Sequence, residues 1–286
     1  MASTPQSEPK TDIIQRMTCA TNKAVILARG LGTRMREEAA GTELSAAQQK
    51  AAAAGVKGMI DVGRPFLDYV ISALADAGVT DVCLVIGPEH DIMRDHYGNL
   101  DAKRVKIHFA IQEKPLGTAN AVEAVKEFAG EDPFIVVNSD NYYSAAALTK
   151  LAQLDGAGVL GYERGPLVEK SNIPADRVAA FAVLDVAEDG NMIDIVEKPD
   201  PETMEKMGDA PISMNAWRFT QPIFAACEAI EPSIRGEYEL ADAVRYAIDH
   251  GTNFQVVDVA EGVLDMSRRT DIAAVKAALE NVEVEL

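Results

Sequence analysis

A glycine loop closed by Arg34 is where chemistry is most readily argued. The stretch runs Ala24-Val25-Ile26-Leu27-Ala28-Arg29-Gly30-Leu31-Gly32-Thr33-Arg34-Met35. Its opening is apolar and largely branched, and glycine follows at once, which predicts a buried strand ending in a tight loop. Gly30 and Gly32 would let the backbone take positive φ and let a ligand approach closely. Successive N–H groups in such a loop form a nest for anions. Thr33 adds a hydroxyl donor, and Arg34 a cationic fork suited to phosphate. The run is not a Walker A motif, because no Gly-Lys-Ser/Thr follows, and Met35 stands where a dinucleotide fingerprint has its third glycine. Taken alone, it reads equally well as an ordinary strand and turn.

Other candidates lie far along the chain. Asp140 follows an apolar run, and a carboxylate at the carboxyl end of a sheet strand is well placed for a ligand; a turn or capping role before Ala145 is the plainer alternative. Asp265 closes another apolar run, and Asp271 starts a helix. Gln112-Glu113-Lys114-Pro115-Leu116-Gly117-Thr118-Ala119-Asn120-Ala121 joins a strand to a helix that Thr118 would cap. Lys57 and the pair Glu197-Lys198 read, in isolation, as solvated charges. Asn215 is polar inside an apolar strand, where a satisfied buried amide is the ordinary reading.

The elements that must position these residues follow from periodicity. Strands are predicted over 82–86, 105–111 and 134–137, with helices over 65–77, 88–97 and 118–128 between them. This alternation implies a largely parallel sheet with helices on both faces. An Ala-rich helix over 44–54, capped by Gly55, reads as a surface insertion. A helix over 145–154 and a strand over 158–162 continue the pattern. Then Asp189-Gly190 marks a hairpin between strands 180–186 and 192–196. A strand over 212–219, a helix over 239–250, a strand over 253–259 and a closing helix over 271–281 complete the chain. The fold class is therefore α/β, a Rossmann-like, mainly parallel mixed sheet with hairpin insertions in its second half. Residues 1–22 read as a flexible tail and 23–286 as a single domain.

Composition limits the partners. The 286 residues carry a formal net charge of −18, a pI near 4.6 and a mean hydropathy of −0.04. Such a chain repels a nucleic-acid backbone. Phosphorylated ligands would need local cations and a divalent metal. Cys19, Cys83 and Cys227 form no C-x-x-C pair and fit reduced cytoplasmic thiols. No apolar run is long enough to predict a membrane span, and the first 22 residues lack the apolar core of a signal peptide.

Taken in order, six motifs resemble those of the sugar-1-phosphate nucleotidyltransferases, the nucleotide-sugar pyrophosphorylases. They are the G-x-G-T-R loop at Gly30 to Arg34, the lysine pattern at Lys57, Val62, Pro65 and Leu67, and the Q-x-x-P-x-G-T-A-x-A run at Gln112. They continue with Asp140, the E-K-P at Glu197, and Asp265. The resemblance spans roughly residues 23–281 and is similar to the glucose-1-phosphate thymidylyl- and uridylyltransferases. It implies nucleotide binding by Ala28, Gly30, Gly32, Thr33, Gln112, Gly117 and Thr118. It also implies catalytic cations at Arg34, Lys57 and Lys198, sugar-phosphate contacts from Glu197, Lys198 and Asn215, and Mg²⁺ on Asp140 and Asp265. Two carboxylates beside a triphosphate would repel it without a cation between them, and hard oxygen ligands select Mg²⁺. UTP or dTTP is the weakly favoured nucleotide, since the Gln112 amide offers the donor and acceptor that a base edge requires. The expected partners are thus a nucleoside triphosphate and a sugar-1-phosphate, with a homo-oligomer left open.

Three positions depart from the family pattern. Arg29 replaces a small residue, Phe181-Ala182 stands where Tyr-Gly is usual, and Asn215 where glycine is usual. They bear on which base and sugar are used. Two alternatives share the fold: a catalytically silent nucleotide-sugar sensor, and a glycosyltransferase that uses a nucleotide sugar. The sensor would lack a phosphate or metal residue, and Asn138 stands where the transferase would more typically show the first Asp of D-x-D.

Overall fold

A computed structural model describes residues 21–30, 32–37 and 44–286. The expected tail, Cys19 and Leu31 lie outside the described residues, apart from the last two positions of the tail. In chain order the strands are β1 (Lys23–Leu27), β2 (Asp81–Ile86), β3 (Lys106–Ile111), β4 (Phe134–Asn138), β5 (Asn141–Tyr142) and β6 (Ala157–Tyr162). They continue with β7 (Val183–Val186), β8 (Met192–Val196), β9 (Ile212–Phe219), β10 (Phe254–Val259) and β11 (Leu264–Asp265).

Seven strands form the path β10-β6-β9-β4-β1-β2-β3. All neighbours in it are parallel except β9, which runs antiparallel between β4 and β6. The chain moves outward from β1 through β2 to β3, then returns to β4 on the other side of β1. The order reverses at β1, and the crevice beyond the carboxyl ends of strands at such a point is where α/β sheets bind ligands. The glycine loop leaves β1 there, and Asp140 follows β4.

The apolar runs are continuous because both faces of the sheet are covered. Ala24 and Ile26 pack on one face with Leu84, Ile86 and the helix Phe66–Asp76; Val25 packs on the other with Cys83, Val85 and the helix Leu240–Asp249. Alternation along each strand therefore feeds two cores.

The β7–β8 hairpin turns at Gly190, φ +82, as predicted. The helix expected over 118–128 is instead two short pieces, Thr118–Glu123 and Lys126–Ala129. Helices Arg164–Lys170, Ala175–Val178, Pro201–Met207 and Pro222–Ala229, and the β5–β11 pair, were not foreseen. Among the described residues, no helix is long and apolar enough to cross a membrane.

Candidate nucleotide and sugar-phosphate site

A cavity of about 380 Å³ opens at the strand reversal. Ala28, Gly30, Gly32, Thr33, Arg34, Lys57, Gln112, Gly117, Thr118 and Asp140 all line it, together with Arg29, Gly55, Ser139 and Glu237. Ten positions singled out from sequence thus converge on one space. Glu197, Lys198, Asn215 and Asp265 are not in its wall.

At the glycine loop, Gly32 has φ +60 and precedes the short helix Thr33–Arg36. A Cβ on it would lie 2.3 Å from the Gly55 carbonyl oxygen. Glycine is therefore required by a neighbouring backbone as well as by conformation. Gly55 closes the Ala-rich helix Ala46–Ala54, which starts with a Ser45/Gln48 capping box. That helix is more than a surface insertion, because it buries Ala51 and Ala52 and its cap packs against Gly32 of the glycine loop. Gly30 does not take positive φ, contrary to expectation; it simply leaves open space where a Cβ would stand. Arg34 is exposed, lines the cavity and makes no hydrogen bond or ion pair with the described residues.

Also in the wall, Gln112 is 5% exposed, and its Nε2 donates to the Gly117 carbonyl at 2.9 Å and to Asn120 Oδ1 at 3.0 Å. Its Oε1 remains as an acceptor. Gly117 has φ +123 and ψ 177, a region essentially closed to other residues. A Cβ there would lie 2.4 Å from the Tyr238 oxygen and 2.7 Å from its nitrogen. The sequence suggested that Thr118 caps its own helix. Instead its hydroxyl accepts the Leu240 N–H at 2.9 Å, at the start of another helix. Arg29 crosses the end of β2. It pairs through two nitrogens with Glu89 at 3.2 Å and donates to the Gln112 carbonyl. Gly87 makes room, since a Cβ there would lie 2.4 Å from Glu89 and 2.5 Å from Arg29.

Lys57 and Asp140 lie in the same cavity wall. Lys57 Nζ donates to Asp140 Oδ2 at 2.6 Å, and both side chains are largely shielded. The β5–β11 pair places Asp265 opposite Asn141 and so brings it close to Asp140. Asp265, however, is 4% exposed and faces inward. Its Oδ1 accepts from Asn141 Nδ2 and Ser267 Oγ, both at 3.1 Å, and its Oδ2 pairs with Arg177. Burial pushes its carboxyl above the ordinary range, and the nearby Asp140 charge adds to this while Arg177 opposes it. Asp271 does start a helix, and it pairs with Arg177 at 3.1 Å. For Mg²⁺, Asp140 offers one carboxylate at the cavity wall; one such ligand completed by phosphate oxygens and water suits this ion.

The E-K-P segment stands at the end of β8. Lys198, φ 45, and Asn215, φ 59, are the two non-glycine residues with positive φ among the described residues. Such strain gathers at functional sites, and asparagine tolerates the left-handed region best. Asn215 is thus not a buried amide: it is exposed between buried Met214 and Ala216, and its φ explains why a relative would place glycine there. Glu197 is exposed, yet desolvation by the surrounding protein, with repulsion from Glu239, raises its carboxyl above the usual range.

Sequence reasoning missed the segment 233–239. Gly236, φ +75, turns it, and Arg235 donates to Glu239 Oε1 at 3.0 Å. Tyr238 N–H donates to the Leu116 carbonyl at 2.8 Å, and the Ala119 N–H donates to the Tyr238 carbonyl at 2.9 Å. The segment puts Glu237 in the cavity wall, while Arg235 and Glu239 lie close enough to Glu197 to act on its charge. The i,i+4 Arg–Glu spacing around a glycine was the available signal.

A family model described as nucleotidyl transferase matches residues 23–265. The low-salt glycan biosynthesis nucleotidyltransferase Agl11 of Haloferax volcanii is 27% identical over 237 residues, covering 80% of this chain and 58% of the relative. A glucose-1-phosphate thymidylyltransferase of Streptomyces griseus is 29% identical over 262 residues, covering 91% and 67%. The UTP–glucose-1-phosphate uridylyltransferase AglF of Haloferax volcanii is 28% identical over 252 residues, covering 87% and 93%. The chain thus spans little more than half of the first relative and nearly all of the last. A crystal structure of UDP-glucose pyrophosphorylase complexed with UDP-glucose superposes with a TM-score of 0.71 at 16% identity, covering 92% of this chain and 100% of that one, a likeness of fold.

Proposed function

From the premise that this chain belongs to the nucleotidyl transferase family, we propose that it is an enzyme that makes a nucleotide sugar and pyrophosphate from a nucleoside triphosphate and a sugar-1-phosphate. The convergence of Arg34, Lys57 and Asp140 on one cavity that Gln112 and Gly117 also line carries the reading. A phosphate oxygen of the sugar-1-phosphate attacks the α-phosphorus in line. The new O–P bond forms as the bond to the β-phosphate oxygen breaks, and pyrophosphate leaves with that electron pair. Such a displacement asks mainly for positioning and charge neutralisation.

Arg34 and the Gly30–Thr33 backbone hold the β- and γ-phosphates. Lys57, fixed on Asp140, sits beside the reacting phosphate. Lys198 and Glu197 hold the sugar phosphate and a sugar hydroxyl, with Asn215 a further sugar contact. Mg²⁺ bound at Asp140 would supply further neutralisation of the triphosphate. Gln112 Nε2 is spent on protein acceptors, so its Oε1 seeks an N–H on the base, flanked by the Gly117 N–H for a carbonyl. That pattern matches the N3–H and carbonyl of uracil or thymine, and equally the N1–H and O6 of guanine, and disfavours adenine and cytosine; among the first three, UTP or dTTP is the reading carried forward. The buried free thiols Cys83 and Cys227, each pushed up to about 12 by burial, accord with a cytoplasmic protein.

The test is a matrix of UTP, dTTP, GTP, CTP and ATP against several sugar-1-phosphates, read by pyrophosphate release with and without chelator. Metal-dependent release with UTP or dTTP is expected. A glycosyltransferase would release none from a triphosphate, and a sensor would bind without turnover.

A further inference from the structure

We propose that Arg177 is the resident cation at Asp265, so that a divalent metal is held on the protein side by Asp140 alone. That a metal binds at all rests on the nucleotidyl-transfer reading above. The arrangement of Arg177 does not.

Both oxygens of the Asp265 carboxylate are engaged by protein donors. The Arg177 guanidinium bridges Asp265 and Asp271, with its side chain 17% exposed against 6% and 9% for the two carboxylates. Asn141 and Ser267 fill the other oxygen of Asp265. The Asp265 backbone is fixed as well. The Asn172 side chain donates to its carbonyl and accepts its N–H, each at 2.8 Å, and Asn172 belongs to the same stretch of chain as Arg177. Turning the carboxylate toward a metal would break all three side-chain contacts and leave Arg177 half of its fork. A guanidinium matches two carboxylates with a planar set of donors, which a small octahedral cation does not replace in kind.

Asp140 also carries a cation, Lys57 on its Oδ2 at 2.6 Å, but its other oxygen and its place in the fold differ. It lines the cavity, it is part-exposed, and its Oδ1 has no partner among the described residues. Among the described residues, no three Asp, Glu, His or Cys side chains converge in a metal-binding group. A site with one available carboxylate holds Mg²⁺ weakly until phosphate oxygens complete the shell. The metal then arrives with the nucleotide instead of waiting in the free protein. Arg177 is a positioning residue in this account: it keeps Asp265 from making a two-carboxylate trap beside Asp140.

The test titrates Mn²⁺ into the full chain, read by electron paramagnetic resonance, with and without a non-hydrolysable UTP analogue. Asp140→Asn should weaken Mn²⁺ binding by roughly tenfold or more, whereas Asp265→Asn should change it by less than about twofold. Arg177→Gln, which uncovers Asp265, should tighten nucleotide-free Mn²⁺ binding by roughly tenfold. Equal weakening by the two aspartate variants, or no tightening in Arg177→Gln, would overturn the proposal. A wild-type crystal grown with Mn²⁺ and the analogue needs no substitution. Anomalous scattering beside Asp140, with Arg177 still on Asp265, supports it. A Mn²⁺ ion bridging both carboxylates overturns this inference and leaves the nucleotidyl-transfer reading standing; Mn²⁺ at neither overturns both.

Discussion

Gly117→Ala puts the strain of the site to a quantitative test. At φ +123 and ψ 177 the backbone sits where only glycine is at ease, and the added methyl would lie 2.4 Å from the Tyr238 oxygen and 2.7 Å from its nitrogen. The conformational strain is worth about 1–3 kcal/mol. Pushing Tyr238 away breaks two backbone hydrogen bonds, Tyr238 N–H to the Leu116 carbonyl at 2.8 Å and Ala119 N–H to the Tyr238 carbonyl at 2.9 Å. Each is worth about 1 kcal/mol net. The expected loss is therefore about 3–5 kcal/mol, a large part of the roughly 5–15 kcal/mol that holds a domain together. In a thermal melt this is a fall in Tm on the order of 10 °C. Because the displaced segment carries Glu237 toward the nucleotide and Arg235 and Glu239 toward Glu197, KM should rise for both substrates. Should the variant not fold, Thr118→Val removes the bond to the Leu240 N–H and should cost about 1 kcal/mol of stability. A Gly117→Ala protein within about 1 kcal/mol of wild type by urea denaturation would refute the packing argument.

Removing the charge of Lys198 should raise KM for the sugar phosphate by roughly 10- to 150-fold, the worth of a charged hydrogen bond, with little change in nucleotide affinity; steady-state kinetics with each substrate varied decides it. Glu197 has a raised carboxyl pKa in the folded protein, so its effect on stability is favourable at low pH and is lost as pH rises through the folded pKa. Glu197→Gln should accordingly match or exceed the wild-type Tm at pH 7, and the difference should close as pH falls below the ordinary glutamate value of 4.5. Arg29 lines the cavity and reaches from the loop after β1 to the Gln112 carbonyl. Arg29→Ala should therefore change the ranking of nucleotides in the pyrophosphate-release matrix more than it changes the rate with a given sugar phosphate.

Contiguous motifs were legible in the sequence because one strand and the loop after it place their residues together. Gly30 to Arg34 after β1, and Gln112 to Ala121 after β3, are of this kind, and both meet in the same cavity. What stayed hidden depends on partners remote in sequence. Gly32 packs on Gly55, Gly117 on Tyr238, and the Thr118 hydroxyl serves a helix that starts at Leu240. Nothing local reveals such pairs. The β5 and β11 strands are two residues each, too short for any periodicity, and so the inward turn of Asp265 could not be read. Some signals were present and unused: Asp200 caps the helix Pro201–Met207 through the Thr203 N–H, and Pro222 opens another at its first position. The break near Val125 in the expected long helix has no signal in its residues.

The central claim is that the α-phosphorus is transferred intact to a sugar phosphate. It is tested most directly by following UTP or dTTP labelled at the α-phosphate, with glucose-1-phosphate and Mg²⁺. The label should appear in a nucleotide sugar, one for one with pyrophosphate, and only when the sugar phosphate is present. Label in free nucleoside monophosphate, or pyrophosphate release that does not depend on the sugar phosphate, would contradict it.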